Sequence, residues 1–519
     1  MTAGRTAAAS LSPEGARVRA TEINGGPEVL ELIAELCRDL DREGVRYCHW
    51  KSNEALARSA SGVNDLDLLI ARSDARRFEG VLRRLGFRDA RLPGWKELPG
   101  VYHSYALDRR SGRFVHIHAH YQLVIGDDMT KNYHLPIEPA YLGSATKVTP
   151  FNVPSPAFEL GLFLVRMVLK HSTWDAFLTF QASLSASERR ELDYLLERVD
   201  LDEVWALMAT QLPFIDRDLW MRCLRASGAD VSVPFRIRTA ARLEQALSGL
   251  GRRSHATDVY LKMWRRSRTF ARRKLFRRGP IMHRLAAGGV VVGIVGSDGA
   301  GKSTVVDGLA SWLASENLYA TTVHMGKPPR SVSSKILKGA MTFVASLHRR
   351  PTSSASSLKS SLAQHDRSMG VRDRARLRWE VMTARDRYRT YRRVRRLASN
   401  GAVVICDRFP LPVVVRMDGS VTARVTDVGR FGPRVAKLAA REQRYYERIG
   451  FPDILVVLRV DPDIAVERKA GVEPESLVRP RAEEVWQTDW SRTPAIVVDA
   501  AASREDVLSR IKSEIWSRL

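Results

Sequence analysis

The sequence predicts an α/β protein, in which a doubly wound parallel-sheet domain follows an α+β domain and a helical connector. Three observations predict it. From Gly289 onward, short apolar runs ("GVVVGIVG", "ATTVHM", "AVVICDRF", "DILVVLRV", "AIVVDA") alternate with helical patterns, as buried parallel strands do. From Pro27 to Leu142, strands and helices mix without that alternation. Between them, to about Ser254, apolar residues recur at three- and four-residue spacing, the signature of a helical bundle. At about 100–200 residues per domain, the 519 residues divide as 1–25, 26–145, 146–285 and 286–519.

The opening "MTAGRTAAASLSPEGARVRA" has no apolar stretch of the secretory kind and is expected to be a disordered tail. Next come a helix in "EVLELIAELCRDLDREG", strands in "YCHW" and "DLDLLI", a helix in "ARRFEGVLRRLG", and the alternating strand "RFVHIHAHYQLV". "PSPAFELGLFLVRMVLK" opens the bundle, and "SLSASERRELDYLLERV" carries a helix-capping signal. Between Arg236 and Arg284 stand fifteen Lys or Arg and only two acids, Glu244 and Asp258, with Trp264, Phe270 and Phe276 interleaved. That segment suits a solvated linking helix, or contact with nucleic acid or an anionic membrane surface.

Over the whole chain, 83 basic residues against 58 acidic ones give a net charge of +25, which attracts anionic partners without choosing among them. Cys37, Cys48, Cys223 and Cys406 lie far apart without metal-binding spacing, which fits a reducing cytoplasm. The longest apolar runs are too short to suggest a membrane span.

The strongest motif is "GSDGAGKS", Gly296 to Ser303, which fits G-x-x-x-x-G-K-[ST] after a strand and before a helix. In such a loop the backbone of Gly296, Ser297, Asp298, Gly299, Ala300 and Gly301 curls around phosphates at a helix N-terminus that continues into Ser303 and Thr304. Lys302 spans the β and γ oxygens, and Ser303 offers its hydroxyl to Mg²⁺. ATP and Mg²⁺ are the implied ligands. Asp407 and Arg408 follow the strand "AVVIC", so they emerge at the ligand-holding edge of the same sheet. There the carboxylate can hold Mg²⁺ or orient an acceptor, and the guanidinium can grip an acceptor phosphate. Arg468, Lys469, Arg479 and Arg481 form a later basic cluster, suited to a lid over a transferring phosphoryl group or to a plain solvated loop.

With "SDGAGKST", "DRF" and "PDILVVLRVDPDIAVERK", the carboxyl-terminal part resembles the thymidylate kinase family of P-loop nucleoside monophosphate kinases. The resemblance implies that Asp298 meets the acceptor's sugar hydroxyl and Arg408 its phosphate. It also implies that Arg468, Arg479 and Arg481 stand on the lid side of ATP. After its second strand the family usually has an Arg-Glu-Pro-Gly-Gly type stretch. This chain has "HMGKPPR" and then a basic, serine-rich insertion from Ser331 to about Ser399, which favours kinase chemistry over thymidylate specificity.

In the amino-terminal half, "KSNEALARSASGVNDLDLLI" sets Lys51, Ser52 and Asn53 before a loop, then Asp65 and Asp67 on one face of a strand, a pattern suited to a divalent metal. This resembles the nucleotidyltransferase superfamily, which implies a polar turn around a triphosphate, Mg²⁺ on the Asp-x-Asp pair, and a third carboxylate from a neighbouring strand. That strand here is "RFVHIHAHYQ", where His116, His118 and His120 share a face. They can ligate a transition metal, line a polar site or be structural, and Asp127 and Asp128 are candidates to replace the third acid.

The leading expectation is therefore ATP- and Mg²⁺-dependent phosphoryl transfer to a nucleoside monophosphate (dTMP-like) or related phosphorylated acceptor. Two alternatives stand beside it: nucleotidyl transfer by the first domain, with the kinase domain supplying or sensing nucleotide, and a regulatory nucleotide-binding protein recruited through the basic connector. Self-association is left open.

Overall fold

The computed structural model describes residues 29–178, 182–228, 230–277, 279–331, 334, 371–414, 416–424 and 431–519. The expected 1–25 tail and most of the 331–399 insertion lie outside those residues. The insertion's last part, Val371–Ser399, is one long helix.

The first sheet is mixed. Its strands are β1 (Tyr47–His49), β2 (Leu66–Ile70), β3 (Arg88–Arg91), β4 (Val101–Leu107) and β5 (Phe114–His120). Two antiparallel ribbons follow, β6 (Leu123–Ile125) with β7 (Tyr133–Leu135), and β8 (Thr146–Val148) with β9 (Phe151–Val153). In the main sheet β2 and β5 run parallel and side by side, with Asp67 opposite His118, while β4 lies antiparallel on the other side of β5. Helices Glu31–Arg42 and Ala75–Arg84 cover one face through Ile33, Leu36, Phe78 and Val81.

The helical bundle packs around Pro156–His171, a helix buried on nearly every side. Ser155 caps its N-terminus by accepting from the Phe158 N–H, and Pro156 starts it where a missing N–H costs nothing. The capping signal of the next long helix is realised in full, with Ser185 and Glu188 satisfying each other's backbone N–H groups.

The carboxyl-terminal sheet has five strands, β11 (Val291–Gly296), β12 (Ala320–His324), β13 (Val403–Asp407), β14 (Ile454–Arg459) and β15 (Ala495–Asp499), in the order β12-β13-β11-β14-β15. All neighbours are parallel. Ile294, Ile405 and Val456 point to one apolar layer with helices Lys302–Ser315 and Arg504–Ser517, and Val404, Cys406 and Val457 point to the other with Val371–Ser399. Such two-faced cover explains the continuous apolar runs. The two edge strands are the exceptions: β12 and β15 are only partly buried.

The two halves meet through a seam. β10 (Arg284–Leu285) pairs with β3 of the first sheet, and one core continues across. Phe114 stacks on Trp312 at 4.8 Å and meets Trp516 edge-on at 4.7 Å. The same segment bonds to both sides. Ala286 N–H donates to the Asp89 carbonyl (2.8 Å), Leu285 N–H to Gly401 (3.0 Å), and His283 N–H to Asn317 (2.7 Å).

Part of the basic connector turns inward. In helix His255–Phe270, Lys262 is buried at 3.2 Å from Asp258, and Arg266 pairs with buried Asp127 (2.6 Å) and Asp175 (2.8 Å). Arg265 donates to the Met129 carbonyl. These charges tie the connector to the first half, so only the remainder, around exposed Tyr260, Phe270 and Phe276, can face solvent or a partner. Among the described residues no helix is long and apolar enough to cross a membrane. All four cysteines are buried thiols.

Candidate functional site

β11 ends at Gly296, and helix Lys302–Ser315 starts six residues later. Gly299 (φ 88°) and Gly301 (φ 79°) take left-handed conformations that turn the chain between them. A side chain at Gly299 would also meet the Ala465 carbonyl at 2.8 Å. Lys302 is buried and folds over the loop, its Nζ donating to the Ser297 carbonyl at 2.6 Å. Burial, then the neighbouring Arg408, pushes its ammonium down to about 8, against the opposing pull of Asp298 and Asp407. Ser303 and Thr304 stand exposed on the first turn.

Asp298 is the focus of the site. It is buried, yet Arg408 donates to its Oδ1 at 2.7 Å, Arg481 to its Oδ2 at 2.6 Å, and Lys302 stands 3.7 Å away. Burial alone would raise its carboxyl, but Lys302, Arg408 and Arg481 outweigh it and hold the group below the ordinary carboxylate value.

Arg408 reaches it because β13 lies next to β11, so both strands end at one edge. Arg408 itself is left-handed (φ 55°), an uncommon backbone for a side chain and one that concentrates at functional sites. Asp407 presents a buried Oδ1 that has no hydrogen-bond partner, and its Oδ2 is 3.7 Å from His324. An orphaned carboxylate oxygen and an exposed serine hydroxyl are both oxygen donors of the kind a hard divalent cation takes, so Asp407 and Ser303 fit Mg²⁺ by chemistry.

The three arginines after β14 separate. Arg481, on helix Glu475–Gln487, reaches Asp298. Arg468 donates to the Ala500 carbonyl at 2.9 Å and more weakly to Gly299 at 3.5 Å, bracing the loop from outside. Arg479 is held by Glu475 and Asp463, both at 2.7 Å, away from the Asp298 cluster.

Two residues missed in the sequence complete the other wall. Arg387, buried in the long helix, donates to the carbonyls of Met325 (2.9 Å), Gly326 (2.9 Å) and Asp418 (2.7 Å) and to the Tyr446 hydroxyl. Asp418 accepts from Arg387 at 3.2 Å and lies 3.9 Å from Arg408. Buried Glu442 anchors the following turn by accepting from the N–H groups of Val421 (2.9 Å) and Thr422 (3.0 Å). Nothing marked Arg387 among its many arginine neighbours.

A second polar cluster occupies the first sheet. Lys51 is 3.0 Å from Asp67, and the His118 ring bonds the same carboxylate at 3.2 Å. His116 Nδ1 bonds Asp65 at 2.9 Å. The set brought together is His103, His116 and His118, rather than His116, His118 and His120. Strand register is the reason: His103 of β4 lies opposite His118, whereas His120 lies opposite Val101 and packs edge-on against Trp50. Ser52 and Asn53 are engaged by the chain's own carboxylates rather than standing open to a triphosphate. Ser52 donates to Glu191, and Asn53 donates to buried Glu159. Asp127 and Asp128 do not supply a third carboxylate either, because Asp127 is spent on Arg266 and Asp128 on Lys170 at 3.0 Å.

Neither a protein-family model nor a curated protein matches the chain. Among solved structures it is similar to a thymidylate kinase from Candida albicans, at 15% identity, over 44% of this chain and 92% of that one, with a TM-score of 0.29. That kinase is described as broad in substrate specificity and as having a novel structural element.

Proposed function

We infer that the carboxyl-terminal half transfers the γ-phosphoryl group of ATP to a nucleoside monophosphate (dTMP-like) or a related phosphorylated acceptor. One observation carries the reading. Lys302 of the phosphate loop, Arg408 from β13 and Arg481 from the helix after β14 converge on the single buried carboxylate of Asp298. Three cations from three elements at a sheet's ligand edge form a clamp for a more highly charged anion.

In this reading Lys302 releases the Ser297 carbonyl and binds the β and γ oxygens. Arg481 approaches from the lid side of ATP, and Arg408 swings from Asp298 to the acceptor phosphate. Asp298 is then free to accept from an acceptor hydroxyl. Arg468 keeps the loop in shape, and Arg479 stiffens the lid helix. Ser303 and Asp407 would hold Mg²⁺, which neutralises charge on the transferring group when bound. A cytoplasmic setting accords with such chemistry.

The test is a transfer screen with γ-labelled ATP against nucleoside monophosphates, dTMP among them, and sugar phosphates. Label should move to at least one acceptor and should fail to move without Mg²⁺. Absence of transfer across the whole panel would sink the proposal.

The ammonium of Lys302 adds a pH signature. Below about 8 it is charged and attracts polyphosphate; as pH rises through that value it loses its proton and the attraction with it. ATP affinity should therefore weaken about tenfold from roughly pH 7 to roughly pH 9, checked by calorimetric titration. Lys302→Arg, charged throughout, should flatten the profile.

A further inference from the structure

The cluster on the first sheet has no part in the chemistry above, and its geometry is that of a metal site. His103, His116 and His118 each offer a ring nitrogen, and these atoms lie within 4.8 Å of one another. His103 Nδ1 and His116 Nε2 are 3.1 Å apart, close to the roughly 3.3 Å between two nitrogens on a tetrahedral ion with bonds of about 2.0–2.1 Å.

The two carboxylates stand behind the rings. Asp65 Oδ1 faces Nδ1 of His116 at 2.9 Å, and Asp67 Oδ1 faces Nδ1 of His118 at 3.2 Å. Each favours a proton on the Nδ1 that it faces, which leaves Nε2 of both rings for other partners; Nε2 of His118 stands 3.5 Å from the second oxygen of Asp65, Oδ2. A carboxylate behind a ligating histidine is the usual support of a metal-bound imidazole.

A separate observation points the same way. The His283 ring packs 4.3 Å from His103, its Nδ1 is bonded to the Tyr105 hydroxyl at 3.0 Å, and its Nε2 is buried with no partner. Asp65 remains half-exposed at 49%, so the cluster is open to solvent on that side.

We propose that His103, His116 and His118 bind one divalent transition metal of the zinc class, with Asp65 and Asp67 orienting His116 and His118 rather than ligating Mg²⁺. Imidazole nitrogens suit zinc, whereas Mg²⁺ demands oxygen donors. Lys51, 3.0 Å from Asp67, already neutralises the acid that a two-Mg²⁺ site needs most. The proposal is independent of the kinase reading, since its readout is metal content and spectrum, not turnover.

The experiment strips the full chain with a chelator and titrates it with Zn²⁺ alone and Co²⁺ alone. One equivalent should be retained through dialysis, and Co²⁺ should give the intense visible bands of a four-coordinate nitrogen site. His103→Gln and His116→Gln should each weaken binding at least tenfold. Asp65→Asn, which keeps all three ligands, should weaken it by about 10- to 100-fold. His134→Gln, altering a ring bonded to Glu138 outside the cluster, should leave it unchanged. Circular dichroism checks that the variants fold, and Asp65→Asn carries the test if the histidine variants do not. Zn²⁺ retention equal to wild type in His103→Gln/His116→Gln overturns the proposal. So does displacement of Zn²⁺ by equimolar Mg²⁺.

Discussion

Replacing Lys302 with alanine should lower ATP-dependent phosphoryl transfer by about 100- to 1000-fold, the usual cost of deleting one preorganised charge from a water-poor site. Lys302 is buried at the helix N-terminus, and its charge is already used locally, on the Ser297 carbonyl and beside Asp298. Both partners belong to the loop proposed to close around phosphate, so the ammonium can change partners without moving far. The fold should survive the substitution, because Asp298 keeps Arg408 and Arg481 as counter-ions. Steady-state rates with γ-labelled ATP and the best acceptor from the screen, together with a circular dichroism spectrum, check both halves of the expectation. Unchanged turnover in a folded variant would mean that transfer does not occur at this loop.

Phe114→Ala should cost about 3–5 kcal/mol of unfolding free energy, the range for removing a buried aromatic ring. Phe114 is 3% exposed and sits between Trp312 and Trp516, so its loss empties the apolar layer shared by both halves. It lies on β5, four residues from His118, but the measured unit includes the carboxyl-terminal sheet. Urea unfolding followed by circular dichroism and by tryptophan fluorescence, to which Trp312 and Trp516 contribute among eleven tryptophans, measures the loss. A loss under about 1 kcal/mol would show that the two halves do not depend on this contact.

The strand–loop–helix setting of the glycine-rich loop was legible because it is local: glycines, a lysine and a hydroxyl residue in fixed spacing between a strand and a helix. Asp407 and Arg408 were legible for a related reason, since a continuously apolar strand delivers its next residues to the sheet edge. What sequence could not convey was partnership across the chain. Arg408 and Arg481 meet at Asp298 from 110 and 183 residues away, and a left-handed backbone at Arg408 aims one of them. Arg479 and Arg481, two positions apart on one helix, necessarily point in different directions, and only one reaches the cluster. In the first half, period-two alternation found His116, His118 and His120 on one face. The register of β4 against β5 decided that His103 joins and His120 does not, and register is invisible until strands are paired. The connector's basic residues shared a composition but not a fate, since Lys262 and Arg266 were drawn inward by Asp127, Asp175 and Asp258.

The short stretch from His283 to Ala286 is laced to both halves at once. A protease that nicked the backbone just ahead of it would sever the covalent link without parting the pieces, for each would keep its grip on the other through main-chain bonds and a common greasy layer. Inheritance of either half alone, by gene fission or by engineering, would first demand a new polar coat for the surface left bare.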